Sequence, residues 1–197
     1  MSEIIFRMSI WEQALALTAA VTLALALIGF VMGWLRHLVI EGALRRLLGA
    51  KAAVIVGYYL TIIGTLHHEL AHALGYLLTG GRVHRISILP RTQPDGSVRL
   101  GYVTSSTRGP LLLQAIQNTI GATAPLLFGF LTVYLLWRLA LPAAASVGMR
   151  AFLYYAVASI LLHMELSRAD LKLLARGLVP SLLLLYLCIA LALLIGR

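Results

Sequence analysis

Within ten residues, Leu66-His67-His68-Glu69-Leu70-Ala71-His72-Ala73-Leu74-Gly75, the chain sets two imidazoles four positions apart with a carboxylate beside the first. His68-Glu69-Leu70-Ala71-His72 reads H-E-x-x-H. On an α-helix, residues i and i+4 lie one above the other on one face, so both rings can reach a single ion. Zinc proteases use this spacing, with the Glu as general base toward the attacking water. The setting is unusual, because between Ala52 and Gly81 Glu69 is the only Asp, Glu, Lys or Arg. A charged side chain at the centre of a membrane helix costs on the order of 3 kcal/mol on insertion scales. Two His and one Glu within five residues therefore require a metal or polar partners to offset them.

Two histidines leave a catalytic zinc site incomplete, since such sites use three protein ligands and an open position. The third is expected to be a carboxylate or His at the same depth in the membrane. His68 lies 17 residues past Lys51, and Asp170 lies 20 past Arg150. Those separations correspond to about 26 and 30 Å along two helices that run in the same direction. Asp170 is the first candidate, Glu165 the second and His163 the third. Asp95 is set aside, because turn chemistry already explains Pro94-Asp95-Gly96. His67 points about 100° away from His68 and reads as a supporting or interfacial group. His37 and His84 read as surface residues. Gln114 and Asn118, i and i+4 on a later span, either line the site or bond neighbouring helices.

The elements that must position these residues belong to a membrane protein. Hydrophobic residues make up 60% of the 197 and charged ones only 12%, against about 25% in soluble domains. The net charge of +9 comes from sparse Lys and Arg between apolar runs, a pattern that suits lipid headgroups and not nucleic acid. The lone Cys188 excludes an internal disulfide. Glu3, Glu12 and the long apolar run after Gln13 read as a retained span, not a signal peptide.

About 20 apolar residues cross about 30 Å of hydrocarbon. The expected fold is an all-α polytopic membrane protein, residues 1–197 forming one membrane-embedded domain. Its five spans fall at about 14–35, 52–78, 111–137, 150–168 and 177–196. Pro125 is expected to kink the third, and Thr79-Gly80-Gly81 to end the second. Between spans two and three, β-branched runs around Pro94-Asp95-Gly96 predict a β-hairpin over about 82–104, lying against the membrane face. Steps of four or seven from His68 collect Gly57, Thr61, Gly64, His72 and Gly75 on one side of the second span. Such a face lets helices approach closely in lipid.

Taken together, these residues resemble the site-2-protease family of intramembrane zinc metalloproteases, in its small prokaryotic form without an inserted PDZ domain. The likeness rests on His68-Glu69-Leu70-Ala71-His72-Ala73-Leu74-Gly75 within a span and on Thr79-Gly80-Gly81-Arg82-Val83 leading into a short sheet. A helix bearing an Asp follows two spans later, so the likeness covers roughly residues 52 to 175. It implies one Zn2+ per chain held by His68, His72 and a later Asp, with Glu69 as the base. The substrate would be a transmembrane or membrane-proximal segment of another protein. The location would be a prokaryotic plasma membrane.

Family members place the third ligand in an Asn-Pro-x-x-Asp-Gly type sequence, where this chain has Leu166-Ser167-Arg168-Ala169-Asp170. Asn118 is the candidate for the substrate-positioning role of the family's Asn. An unwound substrate would add as a strand to the hairpin. A cytoplasmic N-terminus puts nine of the sixteen Lys and Arg on the inner side, a slight lean under the positive-inside rule. Two other classes compete with this reading. A non-catalytic protein with a structural metal would need a fourth ligand, from His163 or Glu165, and a small metal transporter would need ionisable residues at several depths.

Overall fold

The first helix begins where the sequence supplies a capping box. Ser9 Oγ accepts from the Glu12 amide, and the Glu12 carboxylate accepts from the Ser9 amide at 2.8 Å. A computed structural model of the protein describes residues 8–92 and 98–196. Glu3 and the predicted Pro94-Asp95-Gly96 turn, with Asp95, lie outside them. From the capping box, α1 (Ile10–Arg36) continues through a π-helical segment (His37–Gly42) into α2 (Ala43–Leu48). Gly49, at φ 78°, then reverses the chain into α3 (Ala50–Leu60).

The predicted second span is two helices. α3 and α4 (Ile62–Leu78) meet at Thr61 with a bend of 77°. Thr61 Oγ1 bonds back to Gly57 O at 2.9 Å, and the Gly64 amide donates to Ser159 Oγ at 2.7 Å, outside its own helix. A side chain entering the i→i−4 ladder is a recognised cause of sharp kinks. The bend also divides the predicted small-residue face. A Cβ added to Gly57 would meet Ile40, one at Gly64 would strike Ser159 O, and one at Gly75 would sit 2.8 Å from Ala124 Cβ. Each glycine thus serves a different neighbour.

α4 ends as its Thr-Gly-Gly predicts. Gly80 takes φ 82°, and the Gly81 amide reaches back to Tyr76 O at 2.8 Å. The hairpin follows. β1 (Arg82–Ser87) pairs antiparallel with β4 (Tyr102–Ser106), from Arg82↔Ser106 to Ser87↔Tyr102 with an irregularity at His84. Nearer the tip, β2 (Arg91–Thr92) pairs with β3 (Val98–Arg99). The pairing runs two residues beyond the predicted end at 104. The Tyr58 hydroxyl donates to Ile88 O, so the hairpin folds back along α4 from its C-terminus to the bend.

α5 (Leu111–Leu135) carries Pro125 buried in its interior and continues through a π-helical segment (Leu136–Ala140) into α6 (Leu141–Ala143). α7 (Val147–Leu161) follows, and after a break at 162–167 comes α8 (Arg168–Ile195). Predicted spans four and five are therefore redrawn, the one stopping at Leu161 and the other starting at Arg168. The cause is local, because Ser167 and Asp170 form a second capping box that opens a new helix.

Ile10–Arg36, Leu111–Ala143 and Arg168–Ile195 are each long and apolar enough to cross a membrane, and the bent α3–α4 pair makes a fourth if counted as one crossing. With 15 residues, α7 extends only about 22 Å. Ala71, Ala122, Ala124, Leu126, Ile160 and Met164 pack the interior, while Leu23, Phe30, Leu131 and Leu183 stay on the outside. Alanines within the interior and large apolar side chains facing outward suit a helix assembly surrounded by lipid.

Candidate metal centre

Two helices converge on one point. α4 supplies His68 and His72 from adjacent turns of one face, and their ring centroids lie 4.6 Å apart. The first turn of α8 supplies Asp170. Within this group His72 Nε2 lies 3.0 Å from His68 Nε2 and 3.3 Å from Asp170 Oδ1, and His68 Nε2 lies 4.0 Å from Asp170 Oδ2. One ligand atom from each of the three falls within 4.8 Å of the others. Tetrahedral ligands at about 2.0–2.1 Å from zinc stand roughly 3.3 Å apart, so the spacing fits.

Proton bookkeeping makes the arrangement more telling than the distances. His68 Nδ1 faces the carbonyl of His163 at 2.7 Å, and His72 Nδ1 faces the carbonyl of Gly121 at 2.7 Å. A carbonyl only accepts, so each Nδ1 carries a proton, and in the neutral imidazole each Nε2 then presents a bare lone pair. The 3.0 Å approach of the two Nε2 atoms is then a meeting of two acceptors, with a carboxylate oxygen as the third. Such a group repels itself unless a proton or a metal cation lies among its members. Carbonyl partners on the far ring nitrogens are also how metal-ligating histidines are held.

Asp170 is fixed by its own helix start. The Ser167 amide donates to Asp170 Oδ2 at 2.8 Å, and Ser167 Oγ accepts from the Asp170 amide at 3.2 Å. This leaves Oδ1 turned toward His72. Asp170 is 5% exposed and His72 8%, so water screens the group little. Glu69 is buried as well and lies beneath the hairpin, where a Cβ added to Gly101 would come within 2.8 Å of its Oε1.

The remaining predicted residues stand elsewhere. Glu165 forms an ion pair with Arg36 at the end of α1, and a Cβ on Gly33 would fall 2.6 Å from its Oε2. The His163 ring bonds Ser159 O at 3.0 Å and Thr65 Oγ1 at 3.1 Å, so only its main-chain carbonyl serves the centre. His67 bonds Thr132 on α5 at 3.0 Å. Asn118 is half-buried on α5 and outside the group of three. Gln114 bonds Gly109 O at 2.8 Å. His37 and His84 are exposed. Among the described residues no fourth His, Cys, Asp or Glu joins the group.

Three supporting features went unread in the sequence. Ser167-Arg168-Ala169-Asp170 is a legible capping pattern that would have placed Asp170 at a helix start. Gly29 and Gly33 with Arg36 line one side of α1 and seat Met164 and Glu165. Gln117, fully buried, ties the hairpin base to the end of α4 through Arg108 N at 2.8 Å and Thr79 O at 3.0 Å. Comparison of the chain with family models, with curated proteins and with solved structures finds no match.

Proposed function

We propose that the protein is an intramembrane zinc metalloprotease of the site-2-protease type, hydrolysing a peptide bond in a transmembrane or membrane-proximal segment of another protein. One observation carries the reading: three acceptors, His68 Nε2, His72 Nε2 and an Asp170 oxygen, face one another beside a buried Glu69. When bound, zinc would polarise a peptide carbonyl and bring the pKa of a water toward about 7.

The chain's own residues supply the rest. His68 and His72 keep their Nε2 lone pairs aimed by donating Nδ1–H to main-chain carbonyls, and Asp170 adds the negative charge that favours a divalent ion. Glu69 takes the proton of the attacking water and hands it to the leaving amine. A helical substrate must unwind to expose its carbonyl, and the hairpin, lying along α4, offers strand edges to receive it. The protein in this reading is a multi-pass protein of a prokaryotic plasma membrane with a cytoplasmic N-terminus. Labelling of a cysteine placed in the hairpin from outside intact cells would overturn that orientation.

The test pairs metal content with cleavage of a membrane peptide by purified protein. Glu69→Gln should keep one zinc per chain while cleavage falls by about 10²–10⁴-fold. Cleavage at the unsubstituted rate sinks the mechanism. A structural metal site would instead take its fourth ligand from His163 or Glu165, and both side chains are engaged elsewhere.

A further inference from the structure

The two carbonyls that hold the imidazoles have something in common: neither has its usual helical partner. Inside a helix, the carbonyl of residue i accepts from the amide of i+4. For His163 that amide belongs to Ser167, which lies in the break and donates to Asp170 Oδ2. For Gly121 the position four residues on is Pro125, which has no N–H. Pro125 lies within α5, is among the most completely buried side chains, and sits in an unbroken helical stretch. A helix-interior proline also presses its ring against the carbonyl of i−4, turning that oxygen away from the axis. In a membrane such a freed carbonyl must find another donor, and the one within reach is His72 Nδ1 at 2.7 Å.

The neighbouring turn is built for this approach. A Cβ on Gly75, three residues past His72, would lie 3.2 Å from Ile120 O and 3.3 Å from Gly121 Cα. The absence of a side chain there brings α4 and α5 together at the level where the imidazole reaches across.

We infer that Pro125 is a positioning residue for the metal centre: by withholding an amide from Gly121 O, it assigns that carbonyl to His72 and so fixes the ring's tautomer and aim. This rests on the proposal that His68, His72 and Asp170 bind a metal, but not on the protein being a protease.

Pro125→Ala and Pro125→Val both restore the amide, the first with lost volume and the second with volume nearly kept. Co2+ titration of the metal-free protein, followed by its visible absorption, should give a ten- to hundredfold weaker affinity and an altered spectrum in both variants, a range typical of losing a ligand's supporting partner. The thermal midpoint of the metal-free protein should hold or rise, since a helix gains a bond. Pro180→Ala, which removes the interior proline of α8, should leave Co2+ binding as in the unsubstituted protein.

A purely structural role predicts the reverse, lost stability with unchanged affinity and spectrum, and that result overturns the inference. Should neither Pro125 variant fold, proton NMR of the Co2+-loaded unsubstituted protein decides. Two slowly exchanging imidazole N–H resonances are expected, and rapid exchange of the one from His72 overturns the inference. If the unsubstituted protein takes up no Co2+, this inference and the protease reading fall together. If it binds Co2+ with the expected Pro125 effects but cleaves nothing, only the protease reading falls.

Discussion

Two of the breaks between helices, at Thr61 and at 162–167, do different work. At Thr61 the interruption is one residue wide, and its polar groups are satisfied close by: the Thr61 amide and hydroxyl both return to Gly57 O. The result is a change of direction, 77° between α3 and α4. The break at 162–167 is six residues wide, and its polar groups nearest the candidate metal centre point outward. His163 O accepts a hydrogen bond from His68 Nδ1, and Ser167 caps the helix that carries Asp170. Glu165 meanwhile anchors the segment to Arg36 on α1. The two breaks touch, since Thr61 Oγ1 and His163 Nε2 lie 3.4 Å apart. A narrow break redirects a helix; a wide one releases main-chain groups that can serve as parts of a site.

That contrast can be attacked from either side. The largest effect should come from Asp170→Ala, which removes the proposed third ligand and the reciprocal cap together. Metal content measured by atomic emission should fall from one per chain to near zero, an affinity loss beyond the roughly hundredfold typical of supporting residues. Retention of stoichiometric metal would separate Asp170 from the centre. Next in size is Ser167→Ala, which leaves the ligand but loosens its anchor. It should cost about 1 kcal/mol of stability, as lost N-caps do, with metal affinity reduced about tenfold. Chemical denaturation and Co2+ titration read the two separately, and a stability loss with unaltered affinity would make the cap structural only. The smallest effect should come from Thr61→Ala, within about 1 kcal/mol and without change in metal affinity. A tenfold weaker Co2+ affinity there would erase the distinction between the breaks.

Much of this is legible in the sequence. The H-E-x-x-H spacing needs only helical geometry to bring His68 and His72 together, and Thr79-Gly80-Gly81 ends α4 where glycine permits a positive φ. Asp170 lies beside the two histidines, but the depth argument that singles it out is only partly right. The depth estimate counted residues from Arg150 along one continuous helix, yet the helix stops at Leu161 and another starts at Arg168. What held was scarcity, because few carboxylates lie within reach of an apolar interior. The bend at Thr61 was not legible. Hydrophobic periodicity runs through it undisturbed, and the Ser159 hydroxyl that takes the Gly64 amide is 95 residues away in sequence.

The amino-acid sequence by itself determined the lipid setting, the helix that carries the two imidazoles and the chemistry they can share with a carboxylate, because these follow from composition and local periodicity. Only the tertiary structure decided which carbonyls hold the rings, which helix presents the acid and where Glu69 is covered. Those depend on main-chain groups whose availability is set by interruptions in distant helices, and such groups carry no side-chain identity for a sequence to display.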